Sequence, residues 1–262
     1  MGASGGFHVY LMREGSYTSL YGRASGHGLS LLEGTRSGRL ADIRIDGAGK
    51  KVTRSDNCRV SDLSVSSDNL TFTYEAKSLP YPIDTSYYDN EKHTQADALS
   101  VIPFMDEMNY EGLSVSGLSD GYYGLTIGGE FIGRFTAREL ERGINMALLQ
   151  NTPQYKQAMK IRQMNEERWL KERKMREFYW VEYNLMRKTG MLWACNEAAV
   201  DTLRKYRPHD IFLQWNGDLW LQYMHKGIRE DCVNEQQDLV NQIYEQNKPI
   251  PLRIEIKKFT DL

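Results

Sequence analysis

The residues best spaced for chemistry lie at Gly117-Leu118-Ser119-Asp120-Gly121, a Gly-x-Ser-x-Gly run of the kind that projects a nucleophilic serine from a strained turn. Such an elbow needs a strand before the serine, a helix after it, and a histidine within hydrogen-bond reach of the hydroxyl. Here residues 122–127 read as a further strand, so the run is expected to be a β-turn, and His209 and His225 lie far along the chain. An independent esterase using Ser119 stays open as one alternative. Trp215-Asn216-Gly217-Asp218-Leu219-Trp220 is the aromatic cluster with the chemistry of a sugar platform, rings for stacking beside side chains that bond hydroxyls. Phe212, Leu213, Leu219, Leu221 and Tyr223 around it fit a helix packed into a bundle equally, so a carbohydrate-binding or adhesion module, with Trp215 and Trp220 in its site, is a second alternative.

Other chemistries have little to stand on. Ser25-Gly26-His27-Gly28-Leu29-Ser30 reads as a surface loop with no positioned carboxylate or second histidine. No His-x-x-x-His, Cys-x-x-Cys, Asp-rich calcium loop or glycine-rich phosphate loop occurs, so neither a metal nor a cofactor is expected. Cys58, Cys195 and Cys232 are an odd, widely spaced set, expected to be buried free thiols. With 33 basic against 35 acidic residues the net charge is −2, and no nucleic-acid partner is expected. No apolar run approaches the roughly 20 residues that a bilayer span needs.

The elements that must position these groups follow from periodicity. Short strands are expected at residues 7–12, 17–22, 40–45, 60–65 and 70–76, with a hairpin turn at residues 66–69. A polar loop over 84–96 and a short helix over 96–105 come next. Residues 112–135 alternate like a β-meander with turns at Ser119-Asp120-Gly121 and Gly128-Gly129. Thr136 with Glu139 forms a capping box, and Thr152 before Pro153 starts a helix that reaches about Lys188 without glycine or proline. Helices over about 191–206, 210–224 and 230–246 pack back on it, and residues 252–256 alternate like a terminal strand. The fold class is α+β: an antiparallel β domain over 1–83, a loop and short-helix linker over 84–111, and a β-meander with a helical half over 112–262.

The phrase Gly117-Leu118, Asp120-Gly121-Tyr122, Leu125-Thr126-Ile127, Gly129, Phe135-Thr136, Glu139-Leu140, Gly143-Ile144-Asn145-Met146-Ala147, Thr152-Pro153 resembles the segment after the catalytic domain of bacterial GDSL-type (SGNH) esterases and lipases. Leu79-Pro80-Tyr81-Pro82-Ile83 and residues 243–249 agree with it. The family's Gly-Asp-Ser and Asp-x-x-His-Pro blocks do not occur here. The resemblance therefore implies an accessory, catalytically inactive portion that packs on, or presents an ester substrate to, a serine-hydrolase domain in cis or in trans. It implies Pro80, Tyr81, Asn145 and Thr152 as the residues facing that partner, and a secreted or periplasmic parent.

Overall fold

The computed structural model describes residues 39–83, 94–100 and 103–259. The strands expected at 7–12 and 17–22, the loop around His27 and most of the polar loop over 84–96 lie outside them. The architecture is α+β, with two sheets in the N-terminal part, a helical C-terminal half and a terminal strand.

The first sheet has the order β2-β1-β5-β8, with β1 at Ala41–Asp46, β2 at Lys51–Asp56, β5 at Glu111–Ser116 and β8 at Ile144–Asn145. The second has the order β3-β4-β9-β6-β7, from β3 at Cys58–Val65, β4 at Asn69–Ala76, β6 at Tyr122–Ile127, β7 at Glu130–Thr136 and β9 at Leu252–Lys258. The period of two sends Ile43 and Ile45, Phe72 and Tyr74, Leu113 and Val115, Leu125 and Ile127 into one shared core. Strands from both sides of the expected 84–111 linker thus share both sheets.

Two pairings differ from a simple meander. β5 pairs in parallel with β1 rather than with β6, because the chain leaves the first sheet after Ser116. It turns at Gly117, whose φ is 72° and where a Cβ would come within 2.9 Å of Ala48. β9 inserts between β4 and β6, so Ile254 faces Phe72 on one side and Ile127 on the other, and Ile256 faces Leu70 and Leu125. Both isoleucines are fully buried, each worth roughly 1.5–3 kcal/mol of apolar transfer.

The helices are α1 (Phe104–Glu107), α2 (Ala137–Arg142), α3 (Pro153–Val181), α4 (Glu197–Tyr206), α5 (Ile211–Tyr223) and α6 (Lys226–Gln246). The Thr136 and Glu139 capping box starts α2, and the Thr152 hydroxyl accepts from the Tyr155 amide at the start of α3. At 1.5 Å per residue α3 is about 43 Å long, so it outreaches the sheets and needs a second core. Met175, Phe178 and Val181 supply one with Leu203, Leu213 and Trp220 of α4 and α5. The stretch between the two cores carries i,i+4 ion pairs, among them Arg168–Glu172 and Arg173–Glu177. α6 returns antiparallel to α3: Lys171 pairs with Glu235, and the Gln157 amide donates to the Gln246 and Lys248 carbonyls.

The β6–β7 hairpin turns on Gly128 (φ 60°) and Gly129 (φ 86°), a two-residue loop with both residues left-handed. A Cβ at Gly128 would press on Leu252 and Pro153 at 3.3 Å, whereas at Gly129 it meets open space. Both alanine substitutions incur left-handed strain of about 1–2 kcal/mol, and Gly128→Ala adds the squeeze against β9 and α3. Urea denaturation is expected to show Gly128→Ala the more destabilised of the two; equal losses would remove the turn from this junction.

Candidate functional site

Two groups of polar and aromatic side chains stand out, one where α3 meets the sheets and one at the far end of the helices. The first centres on Glu111, the opening residue of β5 and only 1% exposed. Its carboxylate accepts from the Tyr74 hydroxyl at 2.8 Å and from the Gln154 amide, in the first turn of α3, at 3.3 Å. Its backbone N–H donates to the Asn145 side chain, which also accepts from the Ala147 amide and donates to the Met105 and Asn109 carbonyls. Asn109, equally buried, bonds both backbone groups of Tyr81, and the Tyr155 hydroxyl donates to the Ile83 carbonyl.

No cation among the described residues reaches the Glu111 carboxylate, and burial pushes it up to about 6, with the bonds from Tyr74 and Gln154 acting the other way. Burial, reinforced by Asp56, Glu111 and Asp42, also pushes the Cys58 thiol up to about 11. The Gln154 Oε1 atom is buried without a hydrogen-bond partner. A protonated Glu111 would donate to that oxygen once the amide turned over, which suits a carboxyl poised near neutrality.

The second group begins where α3 widens into a π-helical turn, Glu182–Met186. Such turns are rare and concentrate at functional sites. Glu182, 1% exposed, accepts from the Trp220 indole N–H and from the Trp193 backbone N–H, each at 2.8 Å. Trp193 is held at φ 62°, outlying backbone for so bulky a residue, and its ring meets Tyr179 and Tyr183 edge-on. Cys195 Sγ lies 3.3 Å from His225 Nδ1 and is exposed, while Cys58 and Cys232 are buried, so the expectation of three buried thiols fails at Cys195. Beside the π turn opens a cleft of about 370 Å³ between Trp180 and Leu185 on one side and Tyr206, His209 and Leu213 on the other, with Lys188 on its wall.

The residues singled out in the sequence divide between these places. Asn145 accepts from the Glu111 amide and meets Tyr81 through Asn109, whereas Pro80 is buried beside Tyr81 in the chain and Thr152 is buried as the cap of α3. Trp220 is fully buried in the helical core, whereas Trp215 is 66% exposed and edge-on to Phe212. Glu111, Gln154, Glu182 and Lys188 were not anticipated, since a lone charged or amide residue in a strand or helix carries no local mark of burial. Among the described residues no group of three or more His, Cys, Asp or Glu side chains converges to hold a metal, and no helix is long and apolar enough to cross a membrane.

Comparison with known proteins assigns the helical part first. Residues 159–248 match the family described as the diltiazem deacetylase C-terminal helical domain, a stretch holding most of α3, the π turn, the cleft and α4 to α6. The solved structure of BT4096, a gut microbial diltiazem-metabolizing enzyme, superimposes with a TM-score of 0.81 at 32% identity, covering 90% of this chain. The chain spans 53% of that protein's length. No curated protein matches.

These findings overturn the GDSL-type reading of the sequence, because one likeness is to a diltiazem deacetylase helical domain, the other to a diltiazem-metabolizing enzyme, and neither is to a GDSL accessory segment. The functions that accompanied it fall too. Ser119 lies between two strands, with its hydroxyl on Lys258 Nζ (2.7 Å) and Tyr123 Oη (3.1 Å), and no histidine among the described residues bonds it. A sugar platform on Trp215 and Trp220 fails because the Trp220 ring is enclosed and its N–H is committed to Glu182.

The Glu111 environment predicts a pH effect with a definite sign. Its folded value near 6 lies above the ordinary value of 4.5, so the folded protein binds the extra proton. That stability is complete below about pH 4.5 and is lost as pH rises through 6, on the order of 2 kcal/mol in all. Denaturation curves between pH 4 and 7 are expected to show this loss in the wild type and not in Glu111→Gln. Parallel profiles for the two proteins would mean that folding does not shift the Glu111 carboxyl.

Proposed function

We propose that this chain works as part of an enzyme that cleaves acetyl esters, of the diltiazem-deacetylating kind. The observation that supports the reading best is the extent of the likeness to the diltiazem-metabolizing enzyme: at 32% identity it takes in the sheets and the helices together, over 90% of the chain. The match of residues 159–248 to a deacetylase helical domain supports it independently. In this reading one water is consumed, the acyl carbon–oxygen bond breaks, and acetate and an alcohol leave.

The Glu111 junction fixes the start of α3 against the sheets, and the long helix holds the π turn and the cleft well away from the β core.

The experiment is to incubate the protein, in its full natural length, with diltiazem and with a simple aryl acetate, following acetate by proton NMR and the deacetylated product by mass spectrometry. Acetate and deacetylated alcohol are expected in equal amounts, above the rate of buffer alone. A folded protein that releases no acetate from either substrate would overturn the reading.

A further inference from the structure

The cleft beside the π turn has a lining whose chemistry selects a ligand. Its floor is apolar, Leu185 and Leu213, both buried. Its walls are aromatic, the half-buried Trp180 from α3 and the exposed Tyr206 from the end of α4. Most of the polar groups around it are already committed. The Asn184 amide donates to the Trp180 carbonyl, and the Thr189 hydroxyl donates to the Leu185 and Met186 carbonyls. Asp210 turns Oδ1 to the amides of Phe212 and Leu213, where it caps α5.

The second Asp210 oxygen, Lys188 and His209 remain, and of these only Lys188 and His209 can donate. Among the described residues neither has an ion-pair or hydrogen-bond partner, and both line the cleft. The Lys205 ammonium sits 5.3 Å from the centre of the Tyr206 ring. Aromatic walls with the side-chain donors of Lys188 and His209 on the lining accept a planar ring that carries an anion. The volume of about 370 Å³ lies in the lower part of the range for small-ligand sites.

We propose that this cleft binds an aromatic carboxylate, its ring between Trp180 and Tyr206 and its carboxylate on Lys188 and His209. The site stands apart from ester cleavage: its ligand is an acid, it does not require a labile acyl group, and it does not depend on the deacetylase reading.

Titration of the full chain with 2-naphthoate, followed by calorimetry and by tryptophan fluorescence, tests the proposal. A ligand of that size is expected to bind with a dissociation constant of roughly 0.1–1 mM. The neutral isostere 2-naphthamide should bind at least about tenfold more weakly, as loss of a charge-assisted contact requires. Lys188→Met, a change at an exposed position whose fold is checked by circular dichroism, should bring the acid down to the level of the amide. Equal affinity for acid and amide, an affinity for the acid unchanged in Lys188→Met, or no saturable binding of naphthoate up to about 10 mM would each overturn it.

Discussion

The ladder that β9 makes with β4 and β6 is the constraint on which the rest of the architecture depends. It brings residues 252–258 back between two strands laid down more than a hundred residues earlier, with Ile254 and Ile256 enclosed from both sides. Everything from Pro153 to Gln246 is therefore a helical excursion that must leave the sheets and return to the same place. α3 goes out and α6 comes back, and Gln157 on the first holds the last carbonyl of the second and that of Lys248 just beyond it. The Gly128 turn, Pro153 and Leu252 meet where the excursion begins and ends.

Two buried carboxylates fix the ends of that excursion. Glu111 joins β4, β5 and the first turn of α3, and Glu182 joins the end of α3 to Trp193 and Trp220. Each accepts hydrogen bonds from segments distant in sequence, so each orients elements that apolar packing alone would leave free to slide. At the outer end this holds the π turn open beside the cleft. A rigid long helix between two cores gives that region a fixed position relative to the sheets, as a binding surface requires.

Much of the fold was legible because its signals are local. The Gly128-Gly129 turn, the Thr136 and Glu139 box, the Thr152-Pro153 start and the alternation of 252–256 each specify geometry within a few residues. β2 was not legible, since Lys51–Asp56 is a charged edge strand with no buried face. The parallel pairing of β5 with β1 is set by topology, and the start of α4 at Glu197 rests on an Asn196 cap whose signal the apolar run before it obscured. The π turn leaves no mark in the periodicity. For the candidate sites, the motif and its flanks drew attention to Asn145 and Tyr81, which meet through Asn109, while Glu111, whose amide bonds Asn145, looked like any solvated strand end. The same motif suggested the wrong family because its residues record turns, caps and a buried hydrogen-bond lattice, which describe a scaffold and carry no chemistry of their own.

The account rests on the sheets and the helical excursion opening together, with β9 as the tie. Native-state hydrogen exchange of the β9 amides measures this directly. If the ladder is the tie, the Ile254 and Ile256 amides exchange only through the global opening that also exposes Leu125 of β6 and Phe72 of β4. Exchange at β9 faster than at β6, by an opening free energy lower by about 2 kcal/mol or more, would show the terminal strand to be a loosely laid edge and would contradict the account.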